Sequence, residues 1–319
     1  MPASYVHQCI ASSGCDALSL FDQPELRHAV LAGSEGPDPL FFSVITLPGA
    51  PLVPKVGSLI HTRRTDDFLL ALADACKDSA LKLAYCCGFF SHYAADITFH
   101  PFIYAHSIEN GYSSTRHCTL EHQLETLYYR RQGHASGLPV QMAGFAALSR
   151  GEKDEIARAL TQAIEKVFPG DALSFARVRK SFDDAVNLCR MLRSERGVKF
   201  RALGAILHPF HLDAPLHSHM MPKEPPEKDI MNDAHAPWSS IWTPDVTRCD
   251  SFDDLYAAAV TRAGALMQAA NDYMLGNGSY ASLRALHGGL SYDSGLPWQT
   301  TCAPANAPGA HKSALSAGA

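Results

Sequence analysis

His92, Asp96 and His100 recur every four residues in the segment from Gly88 to Pro101, Gly-Phe-Phe-Ser-His-Tyr-Ala-Ala-Asp-Ile-Thr-Phe-His-Pro. On an α-helix such positions drift by only about 40° per step, so three ligand-type side chains line one side. The residues around them are apolar, which predicts a buried helix, and a buried imidazole or carboxylate needs a partner to offset its desolvation. A second pair at the same interval, His117 and Glu121, follows Ser113 and Ser114, which are candidate helix caps. Upstream stand Asp38 between Pro37 and Pro39, His61 at the end of Gly-Ser-Leu-Ile-His, and His7. A lone histidine is ordinarily a satisfied or exposed one, and a single His-x-x-x-Asp pair arises often by chance. Five such residues on two consecutive helices form a much rarer pattern, and the set points to a metal site. Imidazole and carboxylate without thiolate suit Zn²⁺ better than Mn²⁺ or Fe²⁺. Eight ligand groups exceed what one tetrahedral ion takes, so the pattern implies a multinuclear centre. Closely spaced ions of this kind activate water and clamp the oxygens of a phosphoryl group during in-line displacement.

The elements that must position these residues are helical. Apolar periodicity predicts helices near 65–82, 84–100, 114–131, 151–167, 173–195 and 251–275, while strand-like alternation is almost absent. The expected fold class is therefore all-α, a multi-helix bundle with the metal site between helices. Pro101 is expected to stop its helix directly after His100, and His61 to lie just before a helix. Ser251 with an acid three residues on reads as a capping box. Pro- and Gly-rich connections run over 33–39, 47–54, 215–226 and from 237, and the stretch 208–244 is long for a connection, a flap or a partly disordered loop. We expect one domain over 1–299, its ligand core within 1–130, and a disordered tail over 300–319. Hydrophobic residues at 46% and charged residues at 18% describe a globular chain. A net charge of −5 gives no electrostatic case for wrapping a long nucleic acid. Nine cysteines with no Cys-x-x-Cys spacing suggest neither a thiolate zinc knuckle nor a disulfide framework. With no signal peptide and no run of 18 apolar residues, the expected location is the cytoplasm.

At these residues the sequence resembles the zinc-dependent phospholipase C family, helical bacterial enzymes related more distantly to P1-type nucleases. The resemblance rests on Met-Pro-x-x-Tyr-x-His at the start, Gly-Pro-Asp-Pro-Leu-Phe-Phe at 36–42, Gly57 to His61, His92 to Pro101 and His117 to Glu121, and more weakly on Trp242-Thr-Pro and Ser251 to Tyr256. It implies a phospholipase C/P1 nuclease-like bundle and two or three Zn²⁺ ions. One would be held by Asp38, His61, His92 and Asp96, and a second by His100, His117 and Glu121. A third would use His7, a bridging Asp96 and the backbone of the first residue. Removal of Met1 would offer the Pro2 amine for that role.

The implied activity is phosphodiester hydrolysis by metal-activated water on a phospholipid or related substrate, with Asp38 or Glu121 taking the proton. Phe41, Phe42, Phe89 and Tyr104 are candidates to line an apolar substrate cleft. Choline selectivity is not supported, because residues 1–6 contain no acid and Pro39 follows Asp38. Two alternatives compete. A P1-type single-strand nuclease would want stacking aromatics and a basic cleft, and no stable nucleic-acid complex is expected here. A noncatalytic protein would need the metal only to fold. The histidine-rich run 208–219 reads as a solvated loop or, less readily, as a lid, and Arg63 and Arg64 as surface residues.

Overall fold

A computed structural model describes residues 4–42, 55–107, 113–134, 136–210, 217–222 and 228–300. The architecture is all-α. In chain order the helices are α1 (Ser4–Leu18), α2 (Pro24–Gly33), α3 (Lys55–Thr62), α4 (Thr65–Ala75), α5 (Ala80–Ser107), α6 (Ser114–Arg131), α7 (Ala143–Ala147), α8 (Arg150–Val167), α9 (Phe175–Leu192) and α10 (Val198–Leu207). A short antiparallel hairpin of β1 (Trp238–Ser240) and β2 (Thr243–Arg248) precedes α11 (Phe252–Met274) and α12 (Tyr280–His287). Helix α10 ends just before the stretch 208–244 expected to be a loop or flap, and the hairpin occupies its far end. Among the described residues no helix is long and apolar enough to cross a membrane.

The central element is α5, apolar nearly all round and buried from Leu83 to Tyr104. Helices α2 and α11 lie along it, and α1 packs on α11. The crossing of α2 and α5 is close because Gly33 and Gly88 meet there: a Cβ on Gly88 would sit 2.1 Å from the Val30 carbonyl oxygen. This contact aims the turn that follows α2 at His92.

Two boundaries differ from the sequence-based expectation. The helix expected over 65–82 ends at Ala75, and α5 starts afresh at Ala80 with the Ser79 hydroxyl accepting from the Lys82 amide at 3.4 Å. A serine cap thus breaks what periodicity joined, since both helices present apolar faces to one core. Pro101 does not end α5, which runs on to Ser107. Proline removes one amide donor and frees the Ile97 carbonyl, but burial of Phe102, Ile103 and Tyr104 on the continuing helix outweighs that loss. Other termini follow local chemistry: Ser113, Ser149, Ser174 and Ser251 cap their helices, with reciprocal capping boxes at Ser149/Glu152 and Ser251/Asp254.

Candidate metal centre

Four helices and one turn meet around a centre whose middle is Asp96, 2% exposed. Helix α1 carries His7, α3 carries His61 in its last turn rather than before a helix as expected, α5 carries His92, Asp96 and His100, and α6 carries His117 and Glu121. The 3₁₀ turn after α2 supplies Asp38. Asp96 Oδ1 faces His7 Nε2 at 3.3 Å and His100 Nε2 at 3.7 Å. Its Oδ2 faces His92 Nε2 at 3.0 Å and His61 Nε2 at 3.7 Å. Asp38 Oδ1 lies 3.4 Å from His61 Nε2, and Glu121 Oε1 lies 3.0 Å from His117 Nε2 and 3.5 Å from His100 Nε2. All eight residues singled out from the sequence are buried and gathered here. They fall into three groups, His7–His92–Asp96, Asp38–His61–His92 and His100–His117–Glu121, each with ligand atoms within 4.8 Å of one another.

The donor chemistry fits a cation. Three imidazoles donate their Nδ1–H to backbone carbonyls: His61 to Gly57 at 2.8 Å, His92 to Ser34 at 3.0 Å and His100 to Tyr292 at 2.9 Å. Those bonds turn Nε2 of each ring inward, the atom a metal-ligating histidine offers to its ion in place of a proton. His92 Nε2 and Asp96 Oδ2 are buried and without a hydrogen bond despite standing 3.0 Å apart. Two acceptors at that distance repel unless a positive charge serves both. Asp38 Oδ2 is likewise buried without a hydrogen-bond partner.

Electrostatics point the same way. Burial pushes the Asp96 carboxyl up, but His100 and His92 outweigh it and hold it well below the usual range. For Glu121, burial is again outweighed, here by the neighbouring imidazoles of His117 and His100. Burial disfavours the His100 cation, yet Asp96, Glu121 and Asp293 raise it to about 10. A site that holds a proton this strongly is rich in negative potential and suited to a cation. Between His7, Asp96, His100 and Glu121 lies a cavity of about 30 Å³, room for about two waters. A larger hollow of about 620 Å³, lined by Arg150, Lys153, Asp154, Arg179 and Asp183, involves paired surface charges away from the candidate ligands.

The turn carrying Asp38 depends on Gly36. It has φ +54°, and a Cβ there would stand 2.2 Å from the His92 ring, so only glycine lets this backbone wrap the imidazole. Of the proposed cleft aromatics, Phe41 is partly exposed with its ring 5.5 Å from His61, and Tyr104 stands 4.8 Å from the His117 ring and the same distance from Trp242. Phe42 and Phe89 are corrected to core residues. Phe42 is buried, and Phe89 is fully covered, packing behind His92 against Phe68 and Tyr85. Their helical and turn positions face the interior, where burying an aromatic ring gains most.

Several participants carried little sequence signal. The Ser34 and Gly57 carbonyls are backbone groups, which no residue type announces. Tyr292 and Asp293 come from the loop after α12, about 190 residues from His100 in sequence. Glu125 continues the four-residue interval of His117 and Glu121, a signal that was present. It is fully buried, accepts the Tyr5 amide at 2.5 Å, and burial raises it to about 8. Glu35 similarly accepts from Ser4 and Gln8 and is raised to about 7 by burial. In the histidine-rich run, 211–216 lie outside the described residues, and His219 is partly buried within electrostatic reach of Glu121. Arg64 bonds Asp67 and the Val167 carbonyl, a surface structural role as expected. Met1 and Pro2, invoked for a third ion, also lie outside the described residues.

A helical bundle whose interior gathers histidines and carboxylates around possible metal positions is the class that fold and site define. Compared with known families, the chain matches the description Zinc dependent phospholipase C over residues 6–172, 167 of its 319 residues, and it belongs to that family. The matched span contains all eight ligand candidates and stops well short of Tyr292. Neither the comparison with individual curated proteins nor that with solved structures finds a match.

Proposed function

We propose that this chain is a zinc-dependent phosphodiesterase of phospholipase C type, acting on a phospholipid or a related phosphodiester. The observation that carries this reading is the convergence of four Nε2 atoms on the two oxygens of Asp96 within a family-matched helical core. Two or three ions are proposed, held by the Asp38–His61–His92–Asp96 and His100–His117–Glu121 sets, with His7 and Asp96 serving a third. When bound, zinc supplies a Lewis acid that lowers the pKa of water and neutralises phosphoryl oxygens. The histidines orient their Nε2 lone pairs through the Nδ1 bonds described above, so little reorganisation is needed on binding.

Asp38 and Glu121 are the two carboxylates proposed to accept the proton of the attacking water. Asp38 Oδ1 faces His61 while Oδ2 makes no hydrogen bond. Burial raises the Glu121 carboxyl, but the imidazoles of His117 and His100 outweigh it and hold it well below the usual range. Phe41, half-buried beside His61, is the aromatic proposed to contact a substrate, with the buried Tyr104 packing beside His117.

The test is a panel run on zinc-replete protein of measured metal content: a p-nitrophenyl phosphodiester, phosphatidylcholine and phosphatidylinositol dispersions, and single-stranded DNA. Hydrolysis of a lipid or of the small diester is expected. Cleavage of DNA alone would favour the nuclease reading, and zinc binding without any turnover would favour the noncatalytic one.

A further inference from the structure

We propose that Ser291, Tyr292 and Asp293 form a positioning strap that ties ligands of two metal sets together and sets their affinity for metal. The proposal rests on the zinc reading above and concerns a segment outside the family-matched residues. One residue, Tyr292, bonds both sides. Its amide donates to the His61 carbonyl at 2.8 Å, and its own carbonyl accepts the His100 Nδ1–H at 2.9 Å. The Ser291 hydroxyl adds a second donor to the His61 carbonyl at 3.2 Å. That carbonyl belongs to the last turn of α3, where no further helical amide follows to satisfy it. The strap therefore fixes the end of α3 that carries His61 and, through the same peptide, the ring orientation and proton position of His100. Asp293 Oδ1 lies 3.8 Å from His100 Nδ1, placing a carboxylate, 24% exposed, behind a ligand of the second set. The Tyr292 ring is fully buried, 5.1 Å from His61, 6.0 Å from His92 and 4.8 Å from Tyr93. It thus fills the space behind ligands of the first set.

The strap is itself held. Tyr93 Oη donates to the His287 carbonyl at 2.5 Å and accepts from the Leu290 amide at 2.8 Å. Trp298 Nε1 donates to Asp66 at 2.9 Å. The turn closes on itself through Ser291 N–H to Leu296 O at 2.8 Å and Gly295 N–H to Ser291 O at 2.9 Å. Gly295, with φ +65°, seats this turn on α5 at the Ile97 carbonyl, the acceptor that Pro101 leaves without its helical donor. A Cβ at 295 would stand 2.6 Å from that oxygen. Any side chain there has to lift the strap, and with it the two hydrogen bonds of Tyr292.

The experiment uses the full chain loaded with zinc, and separately with Co²⁺, comparing wild type with Gly295→Val, Ser291→Ala and Asp293→Asn. Affinity is read by chelator competition, ligand geometry by the Co²⁺ absorption bands, and folding by far-ultraviolet circular dichroism. Loss of an outer-shell partner weakens metal binding by roughly 10–100-fold, and that loss with altered Co²⁺ bands is expected for Gly295→Val. Smaller losses in the same direction are expected for Ser291→Ala and Asp293→Asn, which carry the test if Gly295→Val does not fold. Folded variants with wild-type affinity and wild-type Co²⁺ bands would overturn the strap while leaving the zinc reading intact. A wild-type chain that binds no metal would overturn both.

Discussion

At the scale of single residues, Asp96 is the side chain on which the centre depends, because its two oxygens face imidazoles from three helices. Asp96→Asn keeps the volume and removes the charge. It is expected to lose most bound metal and the diesterase activity together, checked by elemental analysis and the p-nitrophenyl assay, and retention of both would show the centre to be elsewhere. Glu125 makes a different prediction. Burial raises it to about 8 from an ordinary value of 4.5, so its proton is held more tightly in the folded than in the unfolded chain. Its contribution to stability is complete below the unfolded value and is lost as pH rises through the folded one. Glu125→Gln mimics the protonated form. Its melting temperature is expected to match wild type near about pH 5 and to exceed it increasingly toward about pH 8; parallel profiles would refute the assignment.

At the scale of elements, turns and caps decide whether ligands arrive in register. Gly36→Ala would place a Cβ against the His92 ring in a left-handed backbone. The expected result is a fall in metal content and a stability loss on the order of 1–3 kcal/mol, measured by denaturant unfolding with and without zinc. The capping box of α8 lies on the surface, away from the ligands, with Ser149 and Glu152 reciprocally bonded. Ser149→Ala is expected to cost about 1 kcal/mol and to leave metal content unchanged, which separates general helix stability from ligand placement. Pro101 shows how far element-level rules reach. The rule that proline ends a helix holds for an isolated segment, but here the continuing turn is buried and the loop after α12 covers the freed carbonyl.

At the scale of the whole molecule, metal held at this centre would act as a stabilising crosslink. Its ligands come from α1, α3, α5, α6 and the turn after α2, and holding two or three ions would join elements spread over the first 121 residues. A ligand that binds only the folded state stabilises it by about 2.7 kcal/mol when present at 100 times its dissociation constant. Zinc is therefore expected to raise the melting temperature and a chelator to lower it, followed by calorimetry. A melt indifferent to both would contradict a folded-state metal site. The C-terminal half contributes more than scaffold, since α11 packs along α5 and the strap reaches the ligands.

The eight candidate ligands that the structure gathers were legible in the sequence because a helix repeats chemistry at a fixed interval and because a buried apolar helix has few reasons to carry His92, Asp96 and His100. The all-α class was legible for the same reason, periodicity being a local property. What was not legible is non-local. Which ligands share a position depends on the crossing of α2 with α5, which a glycine pair permits and no period encodes. The proton positions of His61, His92 and His100 depend on backbone carbonyls, and those look alike at every residue. Whether Phe89 is covered depends on what packs against its side of α5, and whether Phe41 is covered depends on what packs against the turn after α2. Tyr292 acts through its peptide group from far along the chain. Residue type therefore determined the chemistry available to this protein, and tertiary packing decided where the lone pairs point.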